Sequence, residues 1–146
     1  MWAFLVTLAL TLYMTGMIWS MQVYEYSLFA RVGRTEIPAY HAAHNRRLPF
    51  FVVLPSVLAF GSAVVFFLLR PAGIPLWSVA LAVALDLAVI VSTVAWQAPL
   101  HARLAREGYS SEIISSLVRS NWIRTVLWTM NALLLGLTAM ALFAVK

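Results

Sequence analysis

The residues with the most versatile chemistry in this chain are its three histidines, and all of them fall near the ends of predicted helices. His41 and His44 are three residues apart and so share one face of a helix. His101 and Glu25 come at the matching ends of two other helices. Imidazoles and a carboxylate from three helices at one height are ligands for iron, copper or zinc. The pattern predicts a metal site at these four residues; the alternative is a set of polar residues that gather where the protein meets water.

Gln97 lies one helical turn before His101, with Pro99 between them. Residues four apart share a helix face, and a proline frees the backbone carbonyl one turn earlier to face a ligand. We therefore predict that Gln97 binds a cofactor. We also predict that Arg46 binds a cofactor and that Arg124 is a catalytic residue that fixes a polar substrate group. The alternatives are a simple bend at Pro99 and arginines that anchor the chain at a membrane surface.

Asp86 is the most costly residue to place, because it lies inside the apolar run Val83–Ala88. A carboxylate at bilayer depth costs on the order of several kcal/mol unless it is paired, protonated or hydrated. Asn131, Thr15 and Ser62 fall at a similar depth along their own helices and predict a polar layer. Two interpretations stay open: a catalytic site that carries a proton, and a neutral acid that links helices by a hydrogen bond.

Four long apolar runs supply the elements that must position these residues. Each has about 20 or more residues, enough to cross a hydrocarbon core of roughly 30 Å. We predict helices at 1–31, 36–69, 75–107 and 111–145. The connections are short, so neighbouring helices must run in opposite directions. The predicted fold class is all-α: a single-domain integral membrane antiparallel four-helix bundle, with helices one to three extending into the cytoplasm.

Turn residues set several of the predicted helix ends. Gly33 is a candidate C-cap of the first helix, and Thr35 is a candidate N-cap of the second. Gly108 is expected to stop the third helix. Pro49 and Pro55 fall inside the second helix and should bend it.

The apolar stripe of Ile113, Ile114 and Leu117 opens the fourth helical segment. Polar residues occupy the other faces of this segment. The stripe predicts a segment at the cytoplasmic membrane interface, joined to the fourth helix near Asn121.

The composition excludes a water-soluble globule. Of the 146 residues, 63% are hydrophobic and only 10% are charged, with a mean hydropathy of +0.89, whereas a soluble domain is about half apolar and about a quarter charged. The net charge of +5 therefore indicates no nucleic-acid partner. The absence of cysteine excludes disulfides and thiolate metal sites. The partner that the composition predicts is the lipid bilayer.

Basic residues are concentrated on one side of the predicted bundle. Eight of the ten lie in two connections or just inside the adjoining helices: Arg31, Arg34, Arg46, Arg47, Arg103, Arg106, Arg119 and Arg124. Cytoplasmic connections of membrane proteins carry an excess of arginine and lysine. We therefore expect these connections in the cytoplasm and both termini outside.

Three stretches of the chain resemble a family of small, largely uncharacterised bacterial four-helix membrane proteins. They are Phe29-Ala30-Arg31-Val32-Gly33 with Tyr40-His41-Ala42-Ala43-His44-Asn45-Arg46-Arg47, then Gln97-Ala98-Pro99-Leu100-His101, then Asn121-Trp122-Ile123-Arg124-Thr125. More distantly, the pattern is similar to the anthrone-oxygenase-like membrane family. The resemblance implies the four-helix fold and the bacterial inner (plasma) membrane, and it marks His41, His44, His101 and Arg124 as site residues.

The leading hypothesis is an inner-membrane, oxidoreductase-like protein with a site that faces the cytoplasm. Its substrate would be hydrophobic, aromatic or quinone-like, and would enter from the bilayer. The chain has no phosphate-binding glycine loop and no nucleophile elbow, so nucleotide-driven chemistry and triad hydrolysis are not expected. One alternative is a non-enzymatic small subunit of a larger membrane complex or homo-oligomer. Another is a haem protein with two of the histidines as axial ligands.

Overall fold

Four long helices make up nearly all of the computed structural model, which describes residues 1–29 and 31–144, the last two of these by backbone only. They are α1 (Trp2–Phe29), α2 (Ile37–Leu68), α3 (Leu76–Glu107) and α4 (Ser111–Ala144). The described ranges contain no strand, so the all-α prediction is confirmed. The helices begin and end within two residues of the predicted bounds, except that Ala30 and the predicted end at Val145 lie outside the described residues.

The helix ends follow from the turn residues, with one correction. Gly108 ends α3 with a φ of 73°, a conformation that favours glycine, and its N–H donates to the Leu104 carbonyl at 3.1 Å. Thr35 is not the N-cap of α2, because Glu36 occupies that position. The Gly33 carbonyl accepts the N–H groups of Glu36 and Ile37 at 3.1 and 3.0 Å, so the turn runs directly into the helix and includes Thr35.

Three of the helices contain one π-helical turn each. These turns are Met21–Glu25 in α1, Pro49–Val53 in α2 and Thr93–Gln97 in α3. In α2, Pro55 has no N–H to donate to the Phe51 carbonyl four residues earlier, and the Tyr13 hydroxyl donates to that carbonyl instead, at 3.2 Å. The π turn of α1 has no proline near it, and the sequence offers no local reason for it. π turns occur often at functional sites, and all three lie at the histidine end of the bundle.

The helices pack so that each contacts the next along the chain and α4 returns to contact α1. Two apolar cores result. One lies at the histidine end and includes Tyr26, Phe29 and Trp128, and the other lies at the opposite end and includes Phe4 and Phe66. Many large apolar side chains point outward. All four helices are long and apolar enough to cross a membrane, and these outward faces suit contact with lipid tails.

The apolar stripe at the start of α4 faces the bundle. Ile113, Ile114 and Leu117 are buried in the core at the histidine end, and α4 continues without a break through Asn121. The stripe therefore packs against neighbouring helices instead of forming a separate segment at the membrane interface. An amphipathic pattern alone does not distinguish these two environments, because both offer an apolar surface on one side.

Candidate functional site

The histidine end of the bundle contains a network of buried and partly buried polar side chains contributed by all four helices. Glu25 and Tyr26 come from α1, His41 and His44 from α2, Gln97 and His101 from α3, and Asn121 and Arg124 from α4. Buried polar groups are costly unless they are hydrogen-bonded. The structure brings six of the predicted site residues together at this end: His41, His44, His101, Glu25, Gln97 and Arg124.

A chain of hydrogen bonds runs from α2 through α3 to α1. His41 Nε2 lies 2.9 Å from His101 Nδ1, and His101 Nε2 lies 3.2 Å from the Tyr26 hydroxyl. The Tyr26 hydroxyl also donates to Gln97 Oε1 at 3.3 Å. At the other end, Asn45 Nδ2 lies 3.5 Å from His41 Nδ1. Each of the two imidazoles thus uses both ring nitrogens within the chain.

The donors and acceptors along this chain of hydrogen bonds can be arranged in two opposite directions. When Asn45 donates to His41 Nδ1, His41 Nε2–H donates to His101, His101 Nε2–H donates to Tyr26, and Tyr26 donates to Gln97. Asn45 Oδ1 is then buried without a partner. Turning the Asn45 amide over lets its oxygen accept from His41 Nδ1–H and reverses every bond as far as the Tyr26 hydroxyl. A chain with two self-consistent directions is the arrangement that a proton relay requires.

Arg124 joins the same network from α4 and is only 5% exposed. Its Nε and Nη2 atoms donate to Asn121 Oδ1 at 3.0 and 2.5 Å, and Nη2 also lies 3.4 Å from the Tyr26 hydroxyl. Asn121 in turn donates to Gln22 Oε1 at 2.7 Å. The guanidinium is thereby held in one orientation by neutral side chains.

Gln97 is positioned by α4. Its amide nitrogen donates to Ser120 Oγ at 2.7 Å and to the Leu117 carbonyl at 3.4 Å. These bonds fix which end of the amide faces Tyr26, so the oxygen is the atom presented to the hydroxyl. Gln97 ends the π turn of α3 and lies two residues before Pro99.

His44 and Glu25 form a separate pair beside the relay. His44 Nδ1 lies 2.5 Å from Glu25 Oε1, while His44 Nε2 is buried and has no partner among the described residues. The rings of His44 and His101 stack with centroids 5.6 Å apart and planes at 22°. The side chain of Glu25 is about one-third exposed (33%), so this pair connects the buried rings to solvent.

The predicted metal ligands are adjacent, but their donor atoms do not converge on one point. His41 and His101 direct nitrogens at each other, and His44 directs one at Glu25. Among the residues that the structure describes, no group of three or more histidine, cysteine, aspartate or glutamate side chains is arranged to hold one ion. A metal at these residues stays a prediction of the sequence, as does haem.

A cavity of about 370 Å³ opens between α2 and α3 beside the network. Its walls are mostly apolar and include Leu48, Val52 and Ala102, and its inner end is formed by Tyr26, Gln97, His101 and Arg124. His101 is the partly exposed member of this set, while Tyr26 is fully buried. A hydrophobic molecule in the cavity would therefore meet His101 at its surface and the remaining polar groups directly behind it.

Asp86 lies apart from this site, in the middle of α3. Asn131 Nδ2 of α4 donates to Asp86 Oδ1 at 2.7 Å, so two members of the predicted polar layer are hydrogen-bonded. Asp86 Oδ2 and Asn131 Oδ1 are both buried without partners. Thr15 and Ser62 do not join the pair, because their hydroxyls donate to backbone carbonyls of Thr11, Trp128 and Ala59. Small hydroxyl side chains in helices satisfy themselves locally in this way.

Arg46, the second predicted cofactor-binding residue, is exposed on α2 and does not face the cavity. Conversely, Tyr26, Asn121 and Gln22 were not predicted as site residues. Only Asn121 offered a signal in its spacing, since it lies three residues before Arg124 on the regular part of α4. Polar pairs at helical spacing near the end of an apolar run mark a buried polar face.

Comparison of this chain with protein-family models, with curated proteins and with solved structures finds no match. The geometry of the site therefore carries the functional argument.

Proposed function

We propose that this protein spans the bacterial inner membrane as an antiparallel bundle with its histidine end in the cytoplasm and both termini outside. The distribution of charge supports this orientation, since eight of the ten basic residues adjoin the two connections at the histidine end. In the same orientation, the cavity between α2 and α3 lies near the level where lipid tails meet headgroups. A hydrophobic molecule could then enter it sideways from the bilayer.

The function that the site supports best is acid–base chemistry on a hydrophobic small molecule bound in this cavity. The observation that carries the proposal is the continuous hydrogen-bonded chain from the cavity surface at His101 to His41 and Asn45. Apolar walls would hold the body of the molecule, and His101 would exchange a proton with its oxygen group. Such pockets combine apolar walls with a few convergent polar groups.

The proton would move between the ligand and the relay in steps that each conserve charge. The ligand O–H gives its proton to His101, either directly at Nε2 or through the Tyr26 hydroxyl, 3.2 Å from that nitrogen. His101 then releases its Nδ1 proton to His41 Nε2, 2.9 Å away. Histidine suits this role because it accepts a proton on one ring nitrogen and releases one from the other.

The His44–Glu25 pair would stabilise the positive charge that the relay carries in transit. Glu25 is held at His44, whose ring stacks on His101, so its carboxylate lies one ring away from the site of protonation. The side chain of Glu25 is 33% exposed, so its carboxylate also meets water.

The oxidoreductase prediction is compatible with this chemistry. Oxidation or reduction of a quinone-like molecule moves protons as well as electrons, and the relay would supply the proton half. The likeness to the anthrone-oxygenase-like family points to the same substrate class, a flat aromatic molecule with ring oxygens. Redox activity, a metal and an electron partner stay predictions from the sequence.

The test is binding of 2-naphthol to the detergent-purified protein, followed by tryptophan fluorescence. Ala102→Leu adds bulk to the cavity wall, whereas Ala80→Leu makes the same change on an exposed face of α3 away from the cavity. We expect Ala102→Leu to weaken binding by about tenfold or more, which corresponds to about 1.4 kcal/mol. Ala80→Leu should leave it unchanged. Equal affinity in both variants would show that the cavity is not the binding site.

A further inference from the structure

Arg124 is a buried cation without a buried anion. The chain has five acidic residues, and all five lie in the described ranges. Among these residues, ion pairs within 4 Å are found only for Glu25, with His44, and Glu107, with Arg103. The hydrogen-bond acceptors of the Arg124 guanidinium are the Asn121 amide oxygen and the Tyr26 hydroxyl, both uncharged. Arginine stays protonated in proteins, so the positive charge is present.

A buried charge of this kind is expensive unless a counter-charge accompanies it. Neutral hydrogen-bond acceptors offset only part of the free energy that the guanidinium loses when it leaves water. The structure also leaves donor capacity unused. Arg124 Nη1 makes no hydrogen bond to a described residue, yet it is not among the fully buried atoms, and Arg124 lines the cavity. The free donor and the unbalanced charge therefore both belong to the inner end of the cavity.

We propose that the cavity binds the ionised form of a hydrophobic oxygen acid, with its oxyanion paired to Arg124. This inference rests on the proposed function and specifies its ligand: a molecule with an apolar body and a phenolate, enolate or carboxylate group. The free Nη1 group of Arg124 would donate to such an oxyanion, while Nε and Nη2 stay on Asn121. The apolar walls then hold the body and the guanidinium supplies the charge that the site lacks.

The proton balance fits the relay beside Arg124. When a neutral acid enters, its O–H bond breaks, the electron pair stays on oxygen, and the proton passes to His101 directly or through Tyr26. The oxyanion is stabilised by Arg124, and the protonated imidazole passes a proton on to His41, 2.9 Å away. The proton then stays on the His101–His41 pair, where the Glu25 carboxylate, held at His44 beside the His101 ring, offsets its positive charge.

The apolar walls also restrict the shape of the ligand. Ala98, Ala102 and Ala105 line the α3 side of the cavity at helical spacing, opposite Leu48 and Val52 of α2. Three methyl side chains in a row leave a shallow, flat wall. A planar ring system fits such a slot better than a branched alkyl chain.

A chromogenic phenol tests the proposal directly, because nitrophenols are yellow only when ionised. The probe is 4-nitrophenol, a planar molecule, added to the detergent-purified protein at a pH about one unit below the pKa of the free probe, where it is mostly neutral. We expect the bound probe to turn yellow. Arg124→Gln should weaken binding by about tenfold or more and leave the bound probe colourless. Arg119→Gln, an exposed arginine on the same helix, is the matched control and should behave like the parent protein.

Two further measurements separate this inference from the proposed function. The methyl ether of the probe cannot ionise, so it reports whether the cavity binds the apolar body alone. Tight binding of ether and phenol alike, with a colourless phenol, would overturn the anion proposal and leave the cavity as the binding site. Binding of neither molecule would overturn the proposed function itself. Arg124→Lys keeps the charge if Arg124→Gln does not fold, and a yellow bound probe in this variant supports the proposal while a colourless one contradicts it.

Discussion

At the scale of single residues, Tyr26 connects the parts of the site. Its hydroxyl lies within hydrogen-bond distance of His101, Gln97 and Arg124, which come from two other helices. The sequence indicated the histidines, Gln97 and Arg124, because these residue types are rare and costly in apolar runs. It did not indicate Tyr26, because tyrosines are common at membrane interfaces and need no special explanation there. Its role follows only from the packing that buries it.

Removing this one hydroxyl should therefore damage the site more than its size suggests. Tyr26→Phe keeps the ring, which packs edge-on against Phe29 at 5.4 Å, but deprives His101 and Arg124 of a common partner. We expect a loss of about 1–3 kcal/mol in unfolding free energy, the usual result of leaving buried polar groups unpaired. We also expect slower proton exchange with a bound phenol. Tyr24→Phe removes an exposed hydroxyl nearby and should change neither quantity.

Thermal unfolding of the two variants in detergent, with the probe titration, measures both effects. Equal stability and equal proton transfer in Tyr26→Phe and Tyr24→Phe would show that the hydroxyl does not organise the network.

At the scale of elements, the sequence determined the helices well and their faces less well. Length and hydropathy were enough to predict four helices to within two residues in the described ranges. The π turns escaped prediction because each adds one residue to a turn without changing the composition of the helix. Side chains after such a turn point about one residue's rotation away from where a regular α-helix places them. Assignments of faces across the turns, such as that from Gln22 to Tyr26, therefore need the structure.

The link between α3 and α4 at Asp86 provides a prediction at this scale. Asp86 Oδ2 and Asn131 Oδ1 are both unpartnered acceptors on side chains that already share one hydrogen bond. A single proton on Oδ2 would satisfy both atoms through a second, parallel bond. Asp86→Asn can form the same two parallel hydrogen bonds through its amide, so this variant should keep the stability of the parent protein. Asp86→Leu should lose about 1–2 kcal/mol, because Asn131 is left unpaired within the bundle.

Unfolding temperatures in detergent test the stability of both variants, and infrared absorption of the protonated carboxyl group reports the proton itself. That band should be present in the parent protein and absent from Asp86→Asn. A parent protein without the band carries a carboxylate at Asp86, which would contradict the interpretation that two parallel hydrogen bonds join Asp86 and Asn131.

At the scale of the whole molecule, the candidate site and most of the charged residues lie at the same end of the bundle. The polar network, the π turns and most of the arginines lie there, while the opposite end is built around the apolar core of Phe4, Phe66 and Leu135. This polarity was predictable, because charges must lie where water is available and apolar runs must lie where it is not. The cavity was not predictable, because its volume depends on how the side chains of the four helices pack around it. The direction proposed for the molecule in the membrane rests on the charges alone.

That direction can be measured with reporter fusions. Green fluorescent protein fluoresces when it remains in the cytoplasm, and alkaline phosphatase is active only when it is exported. Fusions after Arg34 and after Glu107, at the arginine-rich connections, should give fluorescence without phosphatase activity. A fusion after Gly73, in the connection with few charges, should give the reverse and serves as the internal control. Fusions at Lys146, which lies outside the described residues, should also report the outer side.

Phosphatase activity after Arg34 and Glu107 would show that the orientation is the reverse of the proposed one. The histidine end would then lie on the outer side of the membrane, although the chemistry proposed for the cavity would be unchanged.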